Sequence, residues 1–509
     1  MRAPGPRTLL RYTMPEVADR RSSGLLLHPT SLPGPFGVGD LGPSAFHWVD
    51  CLASMRQSVW QILPLGPTGF GDSPYQSFSA FAGNINLLSP EFLERDGLVP
   101  PSLWAGQSFA NDAYDSARVV PFKNALLAAA ADRFRTGQAN HLSGDYDDFC
   151  SRESRWLDDY AMFMAIRETR NGDALTAWPS ELICRERSTI DALHEKLRTQ
   201  IERHKIGQFL FDRQWAALKA YATEKKIAIV GDIPIFVALD SSDVWAWREQ
   251  FLVDDHCQPS VVAGVPPDYF AEDGQHWGNP IYDWDAMQKT GYSWWTARVK
   301  HALKSVDLIR LDHFRGFAQA WHIPAAELTA RNGKWVDGPG RHLFDALREH
   351  LGGLPFIAED LGVITPDVDA LRIAFDLPGM RVLQFAIGAV TNPYLPHNYE
   401  PHTIVYTGTH DNDTTNGWWS TLDERDRKFF TDYIGKDIVE PSWEMIRLAW
   451  SSVARLAIAP LQDMLGVGSE ARMNVPGKAD SNWKWRFEWS QFPEGVTERL
   501  AEMTARYGR

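Results

Sequence analysis

Cysteine is scarce in this chain. Cys51, Cys150, Cys184 and Cys257 are the only four among 509 residues, far apart and without a Cys-x-x-Cys pair. Neither a disulfide framework nor a zinc site is indicated, and a reducing, cytoplasmic compartment is the expected setting. No apolar run approaches the ~18 residues of a membrane helix. Met1 to Arg21 carries Arg2, Arg7, Arg11, Arg20 and Arg21 but no apolar segment of the kind a secretory signal needs. The stretch 1–21 reads as a disordered or loosely attached arm. No long basic run offsets the balance of 51 basic against 65 acidic side chains, net −14. That disfavours nucleic acid and anionic membranes as partners and suits a neutral substrate. Internal repeats and low-complexity tracts are missing as well.

What the chain does have is apolar content, 44%, and 21 tryptophans. The first can build a large core. The second supplies flat faces that fill a core or stack on sugar rings. Short apolar runs recur, and amphipathic stretches follow most of them, which is the pattern of a parallel sheet built from βα units. Strands are expected near Gly24–Leu27, Ser58–Leu63, Ile227–Asp232, Val306–Asp312, Phe356–Glu359, Met380–Phe385 and Thr403–Thr407, with an eighth near Glu470–Met473. Eight such strands make a (β/α)8 TIM barrel. Helices are expected from Ala45 to Met55, from Phe211 to Ala222 and after Thr365-Pro366. About 160 residues separate the second strand from the third and about 70 the third from the fourth, against the few tens of a plain βα unit. The α/β domain 22–509 is therefore expected to carry large, mainly helical insertions at about 90–205 and 240–300, above the C-terminal rim.

Three acids close apolar runs in the second half: Asp312, Glu359 and Asp411. Acids at the C-terminal ends of parallel strands are where a barrel keeps its chemistry. A set of carboxylates around one substrate is what glycoside chemistry uses, one to protonate a leaving oxygen and one to meet an oxocarbenium-like carbon. Arg310 and Asp312 alternate along one strand and share a side, and the guanidinium keeps the acid ionised, as a nucleophile must be. Of the adjacent Glu359 and Asp360 only one can line the mouth. Glu359 is the choice, because its longer side chain among apolar neighbours suits a proton donor; Asp360 would then cap a turn. His410 and Asp411 could clamp vicinal hydroxyls, with a metal site or an Asx-rich turn as the other readings. Asp232 ends the third strand and would bind a hydroxyl or cap its turn. Gly37-Val38-Gly39-Asp40-Leu41-Gly42 spells GxGxxG, yet nine residues, His28 to Phe36, intervene after the strand. A dinucleotide site has its glycines directly after the strand, so no cofactor follows from this motif.

Together these segments resemble the amylomaltases, or 4-α-glucanotransferases, of glycoside hydrolase family 77 in the α-amylase clan. The similarity runs from about Ser22 to Arg486. It includes Leu27 to Gly34, Ser73-Pro74-Tyr75-Gln76-Ser77, Gly231 to Val237, Val262 to Phe270, Trp277-Gly278-Asn279-Pro280, Arg310 to Gly316, Ala358 to Gly362 and Thr409 to Asp413. The resemblance implies a retaining transfer of α-1,4-glucan segments to a maltooligosaccharide or glucose acceptor, with no cofactor and no metal. Asp312 would be the nucleophile, Glu359 the acid/base and Asp411 the transition-state stabiliser. Arg310 and His410 would assist, Asp232 fits the clan's third-strand motif, and Tyr75, Trp277 and Asn279 fall at substrate-binding positions. The Val262 to Tyr282 segment is the candidate lid.

Overall fold

The computed structural model describes residues 12, 14–267, 272–478 and 480–509. Eight parallel strands close a barrel: β1 (Ser22–Leu26), β2 (Val59–Gln61), β3 (Ala228–Pro234), β4 (Leu308–Asp312), β5 (Phe356–Ala358), β6 (Gly379–Val382), β7 (Thr403–Tyr406) and β8 (Leu456–Pro460). Each pairs with its neighbours in chain order, and β8 returns to β1. The chain is thus a (β/α)8 TIM barrel.

The eighth strand corrects the sequence expectation. Glu470–Met473 is not a strand; a short 3-10 turn occupies Ser469–Ala471, and Leu456–Pro460 closes the barrel instead. Leu-Ala-Ile-Ala-Pro is buried along its whole length. It therefore shows no alternation, and its alanines read as a continuation of the preceding helix Pro441–Ser451.

Alternation along the other strands decides what faces the barrel interior. Leu26, Val59, Val230, Leu308, Ile357, Ile404 and Tyr406 pack together in one interior cluster. Their neighbours Leu25, Trp60, Ile229, Ile309, Phe356 and Val405 belong to the outer core against the helices. Two residues beyond an inward residue is inward again, so Asp232, Arg310, Asp312 and Glu359 follow Val230, Leu308, Arg310 and Ile357 into the barrel mouth. Asp360 takes the outer side.

The long link from β2 to β3 is helical. Ser143–Thr169 and Arg198–Glu224 pack along each other, and Ser116–Arg135 packs on the second of them. The link from β3 to β4 holds the helices Ser242–Ala246, Trp284–Lys289 and Ser293–Ser305 and, between them, two strands. Val261–Val265 and Gln275–Pro280 join Gln319–Pro324 and Lys334–Asp337, which follow β4, in a four-stranded antiparallel sheet. Part of the candidate lid is thus sheet, and Asp268 to Ala271 of it lie outside the described residues.

Most of the N-terminal arm also lies outside the described residues. Its end does not hang free: the Arg21 guanidinium donates to the carbonyls of Ser452, Trp450 and Tyr507 at 2.5, 3.1 and 3.0 Å. No helix among the described residues is long and apolar enough to cross a membrane.

Candidate active site

Arg310 is the hub. Its side chain is 3% exposed, and Nη1 lies 2.6 Å from Asp232 Oδ2 and 2.9 Å from Asp312 Oδ1. The register pairs Asp232 with Arg310 and Pro234 with Asp312, so one cation reaches acids on two adjacent strands. Burial pushes the Asp232 carboxyl up to about 6 despite the pull of Arg310, and the charge of Asp312 adds to the rise. The two anions in turn hold the Arg310 guanidinium far above the ordinary arginine range. Asp312 remains partly open to the mouth, with its side chain 26% exposed.

Glu359 leaves β5 at the same level. Leu311 pairs with Ala358 across β4 and β5, and the Glu359 N–H donates to the Leu311 carbonyl at 3.1 Å. Its carboxylate accepts from the backbone N–H groups of His313 at 2.7 Å and Leu361 at 3.0 Å. His313 adopts φ 51, a left-handed turn uncommon for a side-chain-bearing residue, and this turn takes the chain out of β4. Burial pushes Glu359 up to about 8; Arg310 opposes the rise and Asp312 reinforces it. A carboxyl so placed is protonated at neutral pH. Asp360, on the outer side, accepts from Met380 N–H at 2.6 Å and pairs with Arg372 and Arg381 at 3.3 and 3.4 Å. Gly379 is needed beside it, since a methyl there would come 2.3 Å from Asp360 Oδ2.

His410 and Asp411 come from the loop after β7. Asp463, 1% exposed, accepts from Thr407 Oγ1 at 2.5 Å and from Thr415 N and Oγ1 at 2.7 Å, which clamps both ends of that loop. Asn474 Nδ2 donates to Asp411 Oδ1 at 2.6 Å, and the Arg472 guanidinium to the Asp411 carbonyl at 2.6 Å. His410 Nε2 stands 3.4 Å from Asp411 Oδ1. The Tyr75 ring stacks on His410 with centroids 5.2 Å apart and planes at 14°, and its hydroxyl donates to Asp232 Oδ2 at 2.8 Å. Tyr75 therefore joins the β3 acid to the β7 loop.

Trp277 and Asn279 belong to the antiparallel sheet. The Trp277 ring meets His313 edge-on at 4.8 Å, behind the residue whose N–H holds Glu359. Asn279 is 5% exposed; its Nδ2 donates to the Val237 carbonyl at 2.8 Å and its Oδ1 accepts from Gln76 Nε2 at 3.1 Å, which braces the segment carrying Tyr75. Sequence reasoning missed Arg472, Asn474, His313 and Asp463. Arg472 lies in the stretch Glu470–Met473 expected as a strand, Asn474 directly follows it, and Asp463 follows the true eighth strand. Among the described residues no group of three or more His, Cys, Asp or Glu is arranged to hold a metal ion.

Comparison with known proteins gives the same picture. A family model described as 4-alpha-glucanotransferase matches residues 27–491. The 4-alpha-glucanotransferase of Synechocystis sp. is 48% identical over 97% of this chain and 99% of its own, and that of Thermus thermophilus is 47% identical over 92% and 94%. Among solved structures, amylomaltase from Streptococcus agalactiae in complex with acarbose superposes with a TM-score of 0.93 at 38% identity, covering 96% of this chain and all, 100%, of the other. Amylomaltase from Corynebacterium glutamicum, 18% identical with a TM-score of 0.76 over 97% and 76%, shares the fold. A closed barrel with Arg310, Asp312 and Glu359 gathered at its mouth, and relatives this similar along nearly their full length, establish that the chain belongs to the 4-α-glucanotransferases of glycoside hydrolase family 77.

Proposed function

We propose that the enzyme moves α-1,4-glucan segments between maltodextrins by a retaining, two-step reaction through a covalent glucosyl-enzyme. Asp312 attacks the anomeric carbon while Glu359 gives its proton to the departing oligosaccharide. The Glu359 carboxylate then takes a proton from the 4-hydroxyl of a maltooligosaccharide or glucose acceptor, which displaces Asp312 from the same carbon. Asp411 faces the positive charge that develops on the ring. Arg310 pairs with Asp312 at 2.9 Å and orients its carboxylate, and Asp232, Tyr75 and His410 hold the reacting sugar. Asp232 is fully buried, and its Oδ2 holds both the Tyr75 hydroxyl and the Arg310 guanidinium in place beside the reacting sugar.

One observation carries the reading. Asp312 and Glu359 leave adjacent strands at one level and both turn inward, and neighbouring strands lie ~4.8 Å apart. Strands this close let the two carboxyl groups approach within the ~5–5.5 Å of retaining enzymes. The acarbose complex of the Streptococcus agalactiae relative supports an oligosaccharide ligand. The test is mass spectrometry of the Glu359→Gln protein after a brief exposure to an α-maltosyl fluoride, which needs no proton to leave. A glucan adduct on the peptide containing Asp312 is expected. An adduct elsewhere, or a first product of β configuration, would overturn the mechanism. A ladder of longer maltodextrins plus glucose from maltotriose reports transfer to sugar acceptors; only shorter products would mean that water is the acceptor.

A further inference from the structure

A cavity of about 140 Å³ lies outside the barrel wall, between β2, β3 and β4 and the helical insertion. Ile62 and Ile309 form its floor, and Phe149, Trp156, Phe211 and Trp215 of the two long helices form the opposite wall. Residues of the segment 74–83 close the top. None of Asp312, Glu359, Asp411 or Trp277 lines it.

Most polar groups around this space are already bonded within the protein; Asp232 Oδ1, buried, is the exception among the described residues. The Gln208 amide accepts from Gly83 N–H at 2.7 Å and donates to the Gly83 carbonyl at 2.9 Å. Trp215 Nε1 donates to the Ser305 carbonyl at 3.0 Å and Trp156 Nε1 to Glu153 at 2.9 Å. His301 Nε2 bonds the Phe81 carbonyl at 2.8 Å, and Arg298 donates to the carbonyls of Pro234 and Ile235 at 2.8 and 3.1 Å. Asp232 borders the cavity but turns its carboxylate to Arg310 and Tyr75. Asp212 pairs with Arg152 at 3.0 Å and, with its side chain 47% exposed, marks the side open to solvent.

A sugar placed here would lose its water and find few partners, at a cost of roughly 1–3 kcal/mol per unpaired hydroxyl. A charged ligand would fare worse. An enclosed apolar cavity of ~150 Å³ takes up benzene or xenon; this one is open on the Asp212 side, yet its mainly apolar lining and the Phe149, Trp156, Phe211 and Trp215 rings still favour an aromatic ring over a sugar. We propose that this cavity is a second ligand site, separate from the glucan cleft, for one uncharged single-ring aromatic molecule. The site touches catalysis through its roof: Pro74, Tyr75 and Ser77 line it, and Tyr75 also binds Asp232 and stacks on His410. An occupant bears on Tyr75 from behind and changes turnover, not the competition for glucan.

Calorimetry of the intact enzyme with benzene and with toluene, glucose serving as the polar control, tests this. Saturable one-site binding of the aromatics is expected, with the melting temperature raised by roughly 1–2 °C at ten times Kd. In assays with maltotriose the same ligands should lower kcat and leave KM in place. Ala302→Leu and Ala82→Leu, which put bulk into the cavity, should each weaken binding at least ~10-fold. Diffraction from wild-type crystals under xenon, independent of how the variants fold, should show density between Trp156 and Phe211. Absence of saturable binding, a purely competitive pattern against maltotriose, folded variants that bind like the wild type, or xenon only elsewhere would each overturn the assignment.

Discussion

Replacing Arg310 by Met removes the charge shared by Asp232 and Asp312 at 2.6 and 2.9 Å while keeping a side chain of similar length. The Asp232 side chain is fully buried, 0% exposed, so the variant must either bury a bare carboxylate or take up a proton. Removing one partner of a buried pair costs about 3–5 kcal/mol, and that is the loss expected at pH 8. The loss depends on pH in a direction that follows from the proton balance. Asp232 has an ordinary value of 3.8 and stands at about 6 in the native enzyme. Between those values the folded state binds more protons than the unfolded one, and stability falls as pH rises. Without Arg310 the native value climbs further and the falling interval extends into the alkaline range. Each added unit widens the gap between variant and wild type by about 1.4 kcal/mol. Urea unfolding of both proteins at pH 5 and pH 8 is the assay, and the penalty should be at least ~1.4 kcal/mol smaller at pH 5. An equal penalty at both values, or one below ~1 kcal/mol at pH 8, would refute the claim that Arg310 stabilises the buried Asp232 carboxylate.

Glu359 must carry its proton in the first step, so with a carboxyl raised to about 8 by burial kcat/KM on maltodextrins should fall on the alkaline side of that value. In Glu359→Gln, assayed with an activated fluoride donor, that alkaline limb should disappear; a limb that persists would assign it to another group. Asn474→Ala removes the donor to Asp411 at 2.6 Å. A hydrogen bond to a charged group is worth about 1.5–3 kcal/mol, so kcat/KM should drop roughly 10- to 100-fold with an unchanged melting curve, whereas a residue that merely fills space would lower both or neither. Gly83→Ala places a methyl 2.1 Å from Phe211 Cδ1; overpacking of about 1–3 kcal/mol should lower the melting temperature, and a neutral result would mean the ring moves freely.

Seven of the barrel strands could be read from the chain because each is a short apolar run, and several of them end in an acid. The same runs show which acids finish them. Alternation along the strand turns only one of Glu359 and Asp360 inward, and the longer side chain among apolar neighbours favours Glu359 for that place; the structure ties Asp360 to Arg372 and Arg381 on the outer side. β8 escaped because a strand buried along its whole length has no alternation, and Leu-Ala-Ile-Ala-Pro is short and rich in alanine. The antiparallel sheet escaped for a different reason. Its strands come from both sides of β4, and Val262 pairs with Ile323 across about sixty residues, a partnership that no local pattern announces.

The order of the motifs and the chemistry of their side chains were determined by the sequence alone, because alternation and strand ends are local properties written every second residue. Only the tertiary structure decided what each acid touches. Arg310 is shared between two strands by their register, Asp411 is held by Asn474 from 63 positions away, and Tyr75 reaches Asp232 across 157. Such contacts depend on how far the closed barrel turns and where the insertions fold back, and those are set by packing summed over the whole chain.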